Sequence, residues 1–127
     1  MIRPAALLCI LAAGCGGSAS APTPAPPSNP FTFTLSSAGV TPKELVVPPG
    51  SRVLFVNNDA RRHDMVSDPH PEHDLCTEIN SVGVLNSGQS GETLNLVSPK
   101  TCGFHDHDNP PPTTQAGNLW TGRIVIR

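Results

Sequence analysis

Short strand-like segments separated by turn residues constrain the fold of this chain most strongly. Residues 31–35 and 92–97 alternate apolar and polar side chains, which is the period of a half-buried strand. Other segments are rich in β-branched residues, and Pro48-Pro49-Gly50 is a turn signal between two of them. The predicted strands lie at 31–35, 44–47, 52–57, 92–97 and 123–126. Residues 68–81 have room for a turn or two of helix, but no segment has a capped helical period. The pattern predicts a single all-β sandwich domain.

The N-terminal residues have the pattern of an export signal, predicted to span residues 1–14. Arg3 supplies a positive charge, and the apolar run that follows is far shorter than the roughly 20 residues that span a membrane. Residues 11–15 (LAAGC) resemble the bacterial lipobox, which implies cleavage before Cys15 and lipidation of that cysteine. An ordinary signal peptide with a chance cysteine is the alternative. Because Gly16 and a flexible segment follow directly, we favour the lipobox.

Residues 15–30 are rich in Gly, Ser, Ala and Pro, and we interpret them as a tether. The folded domain is expected at residues 31–127. The lipobox resemblance implies a cell-envelope protein that contacts the membrane through its N-terminal lipid only. Gly16 is not the acidic residue associated with inner-membrane retention, so we expect an outer-membrane anchor that faces the periplasm.

The charge of the chain excludes one class of function. The formal net charge is −2 at pH 7. Removal of Arg3 with the signal leaves seven basic and ten acidic residues, a net charge of −3. Nucleic-acid binding requires a concentrated basic surface, so we expect no nucleic-acid partner.

The histidines and cysteines are grouped in one part of the chain. All five histidines lie between positions 63 and 107, and imidazole is a good ligand for copper and zinc. Cys76 and Cys102 are the two cysteines of the expected domain. In an oxidising compartment such a pair often forms a disulfide, whereas a free thiolate would be a metal ligand. The sequence leaves both possibilities open.

Several motifs together resemble the plastocyanin-like cupredoxins. They are residues 45–53 (LVVPPGSRV), 55–64 (FVNNDARRHD), 88–94 (GQSGETL) and 122–126 (GRIVI). Their order and spacing match over the whole span from Phe31 to Arg127. The resemblance implies a cupredoxin-like Greek-key β-sandwich with copper as cofactor, and it gives His63 the role of the first copper ligand.

The resemblance permits two alignments of residues 102–107, where the remaining copper ligands are expected. In one, the Cys-x-x-His spacing makes Cys102 and His105 ligands, and His107 is available because no methionine follows. In the other, Phe104 is the last inward aromatic residue, the ligand cysteine position falls on Asp106, and Cys102 pairs with Cys76. His63 with His105 or His107 then holds the metal, and accessory ligands can come from the insertion that contains His70 and His73.

The leading hypothesis is a monomeric, copper-binding, cupredoxin-like protein that transfers electrons in the periplasm. Its partner would be a redox protein or a protein that exchanges copper. The alternatives are copper storage or delivery with a histidine site and a Cys76–Cys102 disulfide, and a metal-free interaction module. We expect no enzymatic activity, although the His-Asp-His spacing at 105–107 leaves a copper-dependent oxidoreductase open.

Overall fold

A computed structural model of the protein describes residues 14, 16–25, 28–110 and 119–127. The predicted signal, except Gly14, and the predicted lipidation site Cys15 lie outside the described residues. Among the residues that are described, no helix has the length and apolar character needed to cross a membrane.

The described residues form nine strands and one short 3₁₀ helix. The strands are β1 (Thr32–Ser36), β2 (Gly39–Thr41), β3 (Glu44–Val47), β4 (Leu54–Asn57), β5 (His63–Ser67), β6 (Gly83–Leu85), β7 (Ser90–Glu92), β8 (Lys100–Asp106) and β9 (Thr121–Ile126). The 3₁₀ helix spans Thr77–Ser81 and lies within the region predicted to hold a helical turn.

One predicted strand differs from the structure. The alternation of residues 92–97 predicts a strand, but β7 ends at Glu92 and only an isolated bridge joins Leu96 to Ser51. Thr93 and Leu96 are both buried, so their spacing of three does not follow the two-residue period of a strand. The backbone N–H of Leu94 donates to the carbonyl of Glu78 instead of to a neighbouring strand.

The strands pack as two mixed sheets, which confirms the predicted β-sandwich. One sheet has the order β2-β1-β4-β7, and the other has the order β3-β9-β8-β5-β6. β8 lies at the centre of the five-stranded sheet and pairs antiparallel with both β5 and β9. Its register with β5 sets Met65 opposite Asp106 and Ser67 opposite Phe104.

The core lies between the sheets and is small but well packed. Phe33, Phe55 and Phe104 form a mutual cluster with ring centroids 4.8–5.1 Å apart. A disulfide joins Cys76 to Cys102 inside this core, with their Cα atoms 5.7 Å apart. It ties the segment before the 3₁₀ helix to the middle of β8.

A loop crosses the outer face of the five-stranded sheet. It runs from residue 68 to residue 76, between β5 and the 3₁₀ helix. The backbone N–H of Asp68 donates to the carbonyl of Gly103, and Lys100 Nζ donates to the carbonyl of Leu75. Because side chains of β8 alternate between its two faces, the contact of Asp68 with Gly103 places the start of this loop on the face opposite to the one that carries Cys102 and Phe104, whereas the loop ends at Cys76 in the core.

Candidate metal centre

Four histidine side chains meet where this loop crosses β8. The members of this four-histidine centre are His70, His73, His105 and His107, and one ligand nitrogen of each lies within 4.8 Å of all the others. His73 Nε2 is 3.3 Å from His70 Nδ1 and 3.3 Å from His107 Nδ1. Four nitrogens arranged tetrahedrally at about 2.0–2.1 Å from one metal ion lie about 3.3 Å apart. The two 3.3 Å spacings at His73 therefore match those expected around one ion of the size of copper or zinc.

His105 is the buried member of the centre, with no exposed surface. Its Nδ1 donates a 2.6 Å hydrogen bond to Asp68 Oδ1, since an ionised carboxylate can only accept. The proton therefore lies on Nδ1, and Nε2 carries a free lone pair. Nε2 is buried and has no hydrogen-bond partner. Leaving such a group unpaired costs about 1–3 kcal/mol, and a metal ion is a ligand that would satisfy it.

Gly103 permits the approach of Asp68 to His105. A Cβ atom at position 103 would lie 2.1 Å from Asp68 Oδ2, much closer than any real contact. The absence of a side chain at Gly103 is therefore needed to seat the carboxylate against the strand. A glycine between Cys102 and Phe104 inside a strand is a sequence signal for close approach of another group.

His73 has an unusual backbone and an environment that favours its neutral form. Its φ angle is 54°, in the left-handed region that few non-glycine residues adopt. Its backbone is held by bonds to the Pro69 carbonyl and from the Asn80 side chain. Burial lowers the pKa of His73, and the neighbouring His105, His107 and His70 lower it further. A neutral imidazole is the form that binds metal.

The four-histidine centre is open on one side. His105 is buried and His73 is half-buried, whereas His70 and His107 are exposed. The donor set consists only of imidazoles, which suit copper and zinc. The geometry provides an internal anchor at His105 and an exposed rim through which a metal ion can enter and leave.

His63 does not belong to this centre, in contrast to the predicted grouping of His63 with His105 or His107. Its Nδ1 lies 2.8 Å from Asp106 Oδ2, and its Nε2 lies 3.0 Å from Asp59 Oδ2. The physical reason is that successive side chains of a strand point to opposite faces of the sheet. His63 faces the interior from β5, whereas His105 points outward from β8. We call Asp59, His63 and Asp106 the interior centre.

Cys102 is bonded to Cys76, which is the second of the two alternatives that the sequence left open. A cysteine in a disulfide has no thiolate to offer a metal, so the alternative with Cys102 as a ligand differs from the structure. Phe104 and Asp106 face inward with Cys102, as that alignment expected. The two histidines expected only as accessory ligands, His70 and His73, complete the four-histidine centre.

Asp59 is held as a carboxylate by its neighbours in the interior centre. Burial raises the pKa of Asp59, but hydrogen bonds from His63 and Arg61, with the charge of Arg61, hold the pKa below its usual value. Both Arg61 Nε and Arg61 Nη2 lie 3.1 Å from Asp59 Oδ2. Sequence reasoning overlooked Asp59 and also Asp68, since an isolated carboxylate in a loop carries no signal of its partner.

Comparison with known proteins identifies the fold. No family model and no curated protein matches the sequence. Among solved structures, the chain is similar to a purple cupredoxin from Nitrosopumilus maritimus, with TM-score 0.55, 14% identity and coverage of 76% of this chain and 98% of that one. It is also similar to oxidised plastocyanin from Dryopteris crassirhizoma, with TM-score 0.55, 16% identity and coverage of 76% and 99%.

A third similar structure is the Cu(I) form of an amicyanin mutant, with TM-score 0.57 and 15% identity. That match covers 76% of this chain and 81% of the amicyanin chain. The described sandwich therefore has the cupredoxin fold. At these identities the likeness concerns the fold, and the chemistry of the chain has to be argued from its own side chains.

Proposed function

We propose that this protein binds copper and that its copper site is the four-histidine centre. The observation that carries the proposal is His105 Nε2, a buried nitrogen with no partner whose tautomer is fixed by Asp68. A metal-binding histidine usually donates its other ring N–H to a carboxylate in this way. The remaining imidazoles supply three further donors around the same point.

Copper is favoured over zinc by affinity and by the fold. Nitrogen donors bind Cu²⁺ more tightly than Zn²⁺ in the general order of first-row divalent metals. The similar amicyanin structure is described as a Cu(I) form, which supports a copper protein on this fold. Copper bound here would supply a metal that changes between Cu(I) and Cu(II).

The geometry supports copper storage or delivery best. The donor set contains no thiolate, because Cys102 is in a disulfide, and two of the four imidazoles are exposed at the rim. Because the rim is exposed, ligands of a second protein can replace these imidazoles one at a time while the copper ion is transferred. We propose that the partner is a copper-exchange protein of the cell envelope and that the lipid on Cys15 keeps the domain near the membrane.

Electron transfer in the periplasm is the second candidate. It is supported by the similarity to plastocyanin and amicyanin, whose solved structures are described as oxidised and reduced forms. A reversible copper redox couple with rapid electron exchange would favour this candidate. Slow electron exchange combined with transfer of the ion to a competing copper chelator would favour delivery.

Copper titration of the purified protein tests the proposal. We expect one copper per chain, an EPR spectrum with nitrogen couplings, and no intense thiolate band near ~600 nm. Copper should also raise the melting temperature, because a ligand bound only by the folded state stabilises it. Failure to bind copper, with an unchanged melting temperature, would refute the proposal and favour a metal-free interaction module.

A further inference from the structure

The four rings of the four-histidine centre are packed against one another in three dimensions. The ring centroids of the two loop residues, His70 and His73, lie 5.4 Å apart. His70 lies 5.5 Å from His105 and 5.1 Å from His107, and His73 lies 5.2 Å and 4.9 Å from the same two rings. Each loop ring is therefore at nearly the same distance from all three of the others.

These separations distinguish between two coordination geometries. The centroid of an imidazole lies about 3.2 Å from a metal ion that its nitrogen binds at about 2.0–2.1 Å. In a tetrahedral set every pair of centroids is then about 5.2 Å apart, whereas a square-planar set has four pairs at about 4.5 Å and two opposite pairs at about 6.4 Å. Five pairs lie at 4.9–5.5 Å, and a square plane has only four adjacent pairs. The rings therefore have a tetrahedral arrangement.

The two ligands from β8 are held in place by the sheet. His105 is buried and its ring is bonded to Asp68. The backbone N–H of His107 donates to the carbonyl of Asp64 at 2.7 Å, which extends the pairing of β5 and β8 by one residue beyond the end of β8. Neither ring can move far without loss of these bonds.

The position of His73 is held by the loop. Its backbone N–H donates to the carbonyl of Pro69, and its own carbonyl accepts from Asn80 Nδ2, both at 2.8 Å. The loop itself ends at Cys76, which is joined to β8 by the disulfide. A change to a square plane would require a loop ring to move into the plane of the other three, and these contacts oppose that movement.

The two oxidation states of copper respond differently to such a site. With nitrogen donors Cu(II) prefers a square-planar or tetragonal geometry. Cu(I) has a filled d shell, as Zn²⁺ does, so its d electrons impose no geometry and it accepts a tetrahedral set. The four donors are also neutral imidazoles, so none supplies the negative charge with which a thiolate or carboxylate ligand stabilises a doubly charged ion.

We infer that the four-histidine centre takes Cu(I) in preference to Cu(II). The inference rests on the proposed function and specifies the ion that the protein stores or delivers. Its basis is the tetrahedral arrangement of the rings together with the contacts that oppose flattening, so the preference is a property of this chain's own loop and strand.

Competition titrations of the intact protein test the inference, one with a Cu(I) chelator under anaerobic conditions and one with a Cu(II) chelator. We expect the dissociation constant for Cu(I) to be at least about 100-fold lower than that for Cu(II). A 100-fold ratio raises the reduction potential of bound copper by about 118 mV over that of the aqueous ion, which voltammetry measures independently. Equal or tighter binding of Cu(II) would overturn the inference and leave the proposed function standing, whereas failure of both ions to bind would refute both.

A matched pair of loop variants tests the geometric cause. His70→Ala removes an exposed ligand and leaves three imidazoles with an open position at the rim, where water can complete a flatter set for Cu(II). We expect Cu(I) affinity to fall more than Cu(II) affinity, so that the ratio decreases by at least about tenfold. Glu72→Gln, at an exposed position in the same loop, is the control and should keep the wild-type ratio. An unchanged ratio in His70→Ala would contradict the tetrahedral origin of the preference.

Discussion

His105 Nδ1 and Asp68 Oδ1 lie 2.6 Å apart, and this contact decides which nitrogen of His105 is presented to the four-histidine centre. The carboxylate comes from the end of β5 and the imidazole from the neighbouring β8, so the pairing of the two strands sets their separation. A hydrogen bond from an imidazole to a carboxylate also raises the basicity of the other nitrogen. Copper affinity should therefore depend on both partners of this contact and on the glycine that lets them meet.

Loss of the buried ligand should abolish tight copper binding. We expect His105→Ala to weaken copper affinity by more than about 100-fold, because the remaining ligands lie toward the solvent-exposed rim and lose their anchor. Competition titration with a copper chelator measures the change. Thr101→Ala, on the exposed outer face of the same strand, is the control and should bind like wild type. An unchanged affinity in His105→Ala would show that copper binds elsewhere.

Asp68 should act as a positioning residue. Asp68→Asn removes the negative charge that orients His105, and we expect copper affinity to fall by about 10–100-fold. The same titration measures it, with Asp74→Asn in the same loop as the control. Equal affinity in Asp68→Asn and wild type would mean that the carboxylate does not influence the ligand.

Two glycines of the same sheet should have separable effects. In Gly103→Ala the new methyl group meets Asp68, so we expect weaker copper binding with a folded domain. In Gly122→Ala a Cβ would lie 2.5 Å from Phe104 Cζ, so overpacking should cost about 1–3 kcal/mol of stability. Copper titration and urea unfolding of both variants distinguish these effects. Similar copper affinities for Gly103→Ala and wild type would contradict the role of Gly103.

Removal of the disulfide should destabilise the fold without removing copper. The bond joins residues 26 positions apart, so the double variant Cys76→Ser, Cys102→Ser should lose about 2–4 kcal/mol of unfolding free energy. Urea unfolding measures the loss, and reduction of wild type provides an independent comparison. The folded double variant should still bind one copper, and loss of that copper would indicate that Cys102 is a ligand after all.

Acid should destabilise the protein partly through Asp59. Because the folded-state pKa of Asp59 is lowered, its contribution to stability is present above the unfolded value near 3.8 and is lost as pH falls through the lower folded value. We expect wild type to lose stability between about pH 5 and pH 2, and Asp59→Asn to lose less over that window.

Urea unfolding at a series of pH values measures this difference. Arg61→Met removes one of the groups that lower the pKa of Asp59, so part of the loss should move to higher pH. Identical pH profiles for wild type and Asp59→Asn would contradict the assignment.

The sequence by itself determined the sandwich, and one of its two alignments gave Phe104 and Asp106 the inward positions that they have on β8. Alternation with a period of two is a local property of an extended chain, so the order of residues is enough to assign Cys102, Phe104 and Asp106 to one face. The alternation of residues 31–35, the turn signal at residues 48–50 and the β-branched segments predicted four of the observed strands, because these signals are also local. Segment 92–97 also alternates, yet its residues beyond Glu92 leave the sheet, because tertiary contacts outweigh a local pattern there.

Only the tertiary structure decided which histidines meet. The loop of residues 68–76 folds back over β8 because of bonds between residues that are distant in sequence, such as Asp68 with Gly103 and Lys100 with Leu75. These contacts bring His70 and His73 to His105, whereas the interior carboxylates take both nitrogens of His63. A sequence pattern specifies which residues can bind a metal, but the set that shares one ion depends on long-range contacts, which no local period encodes.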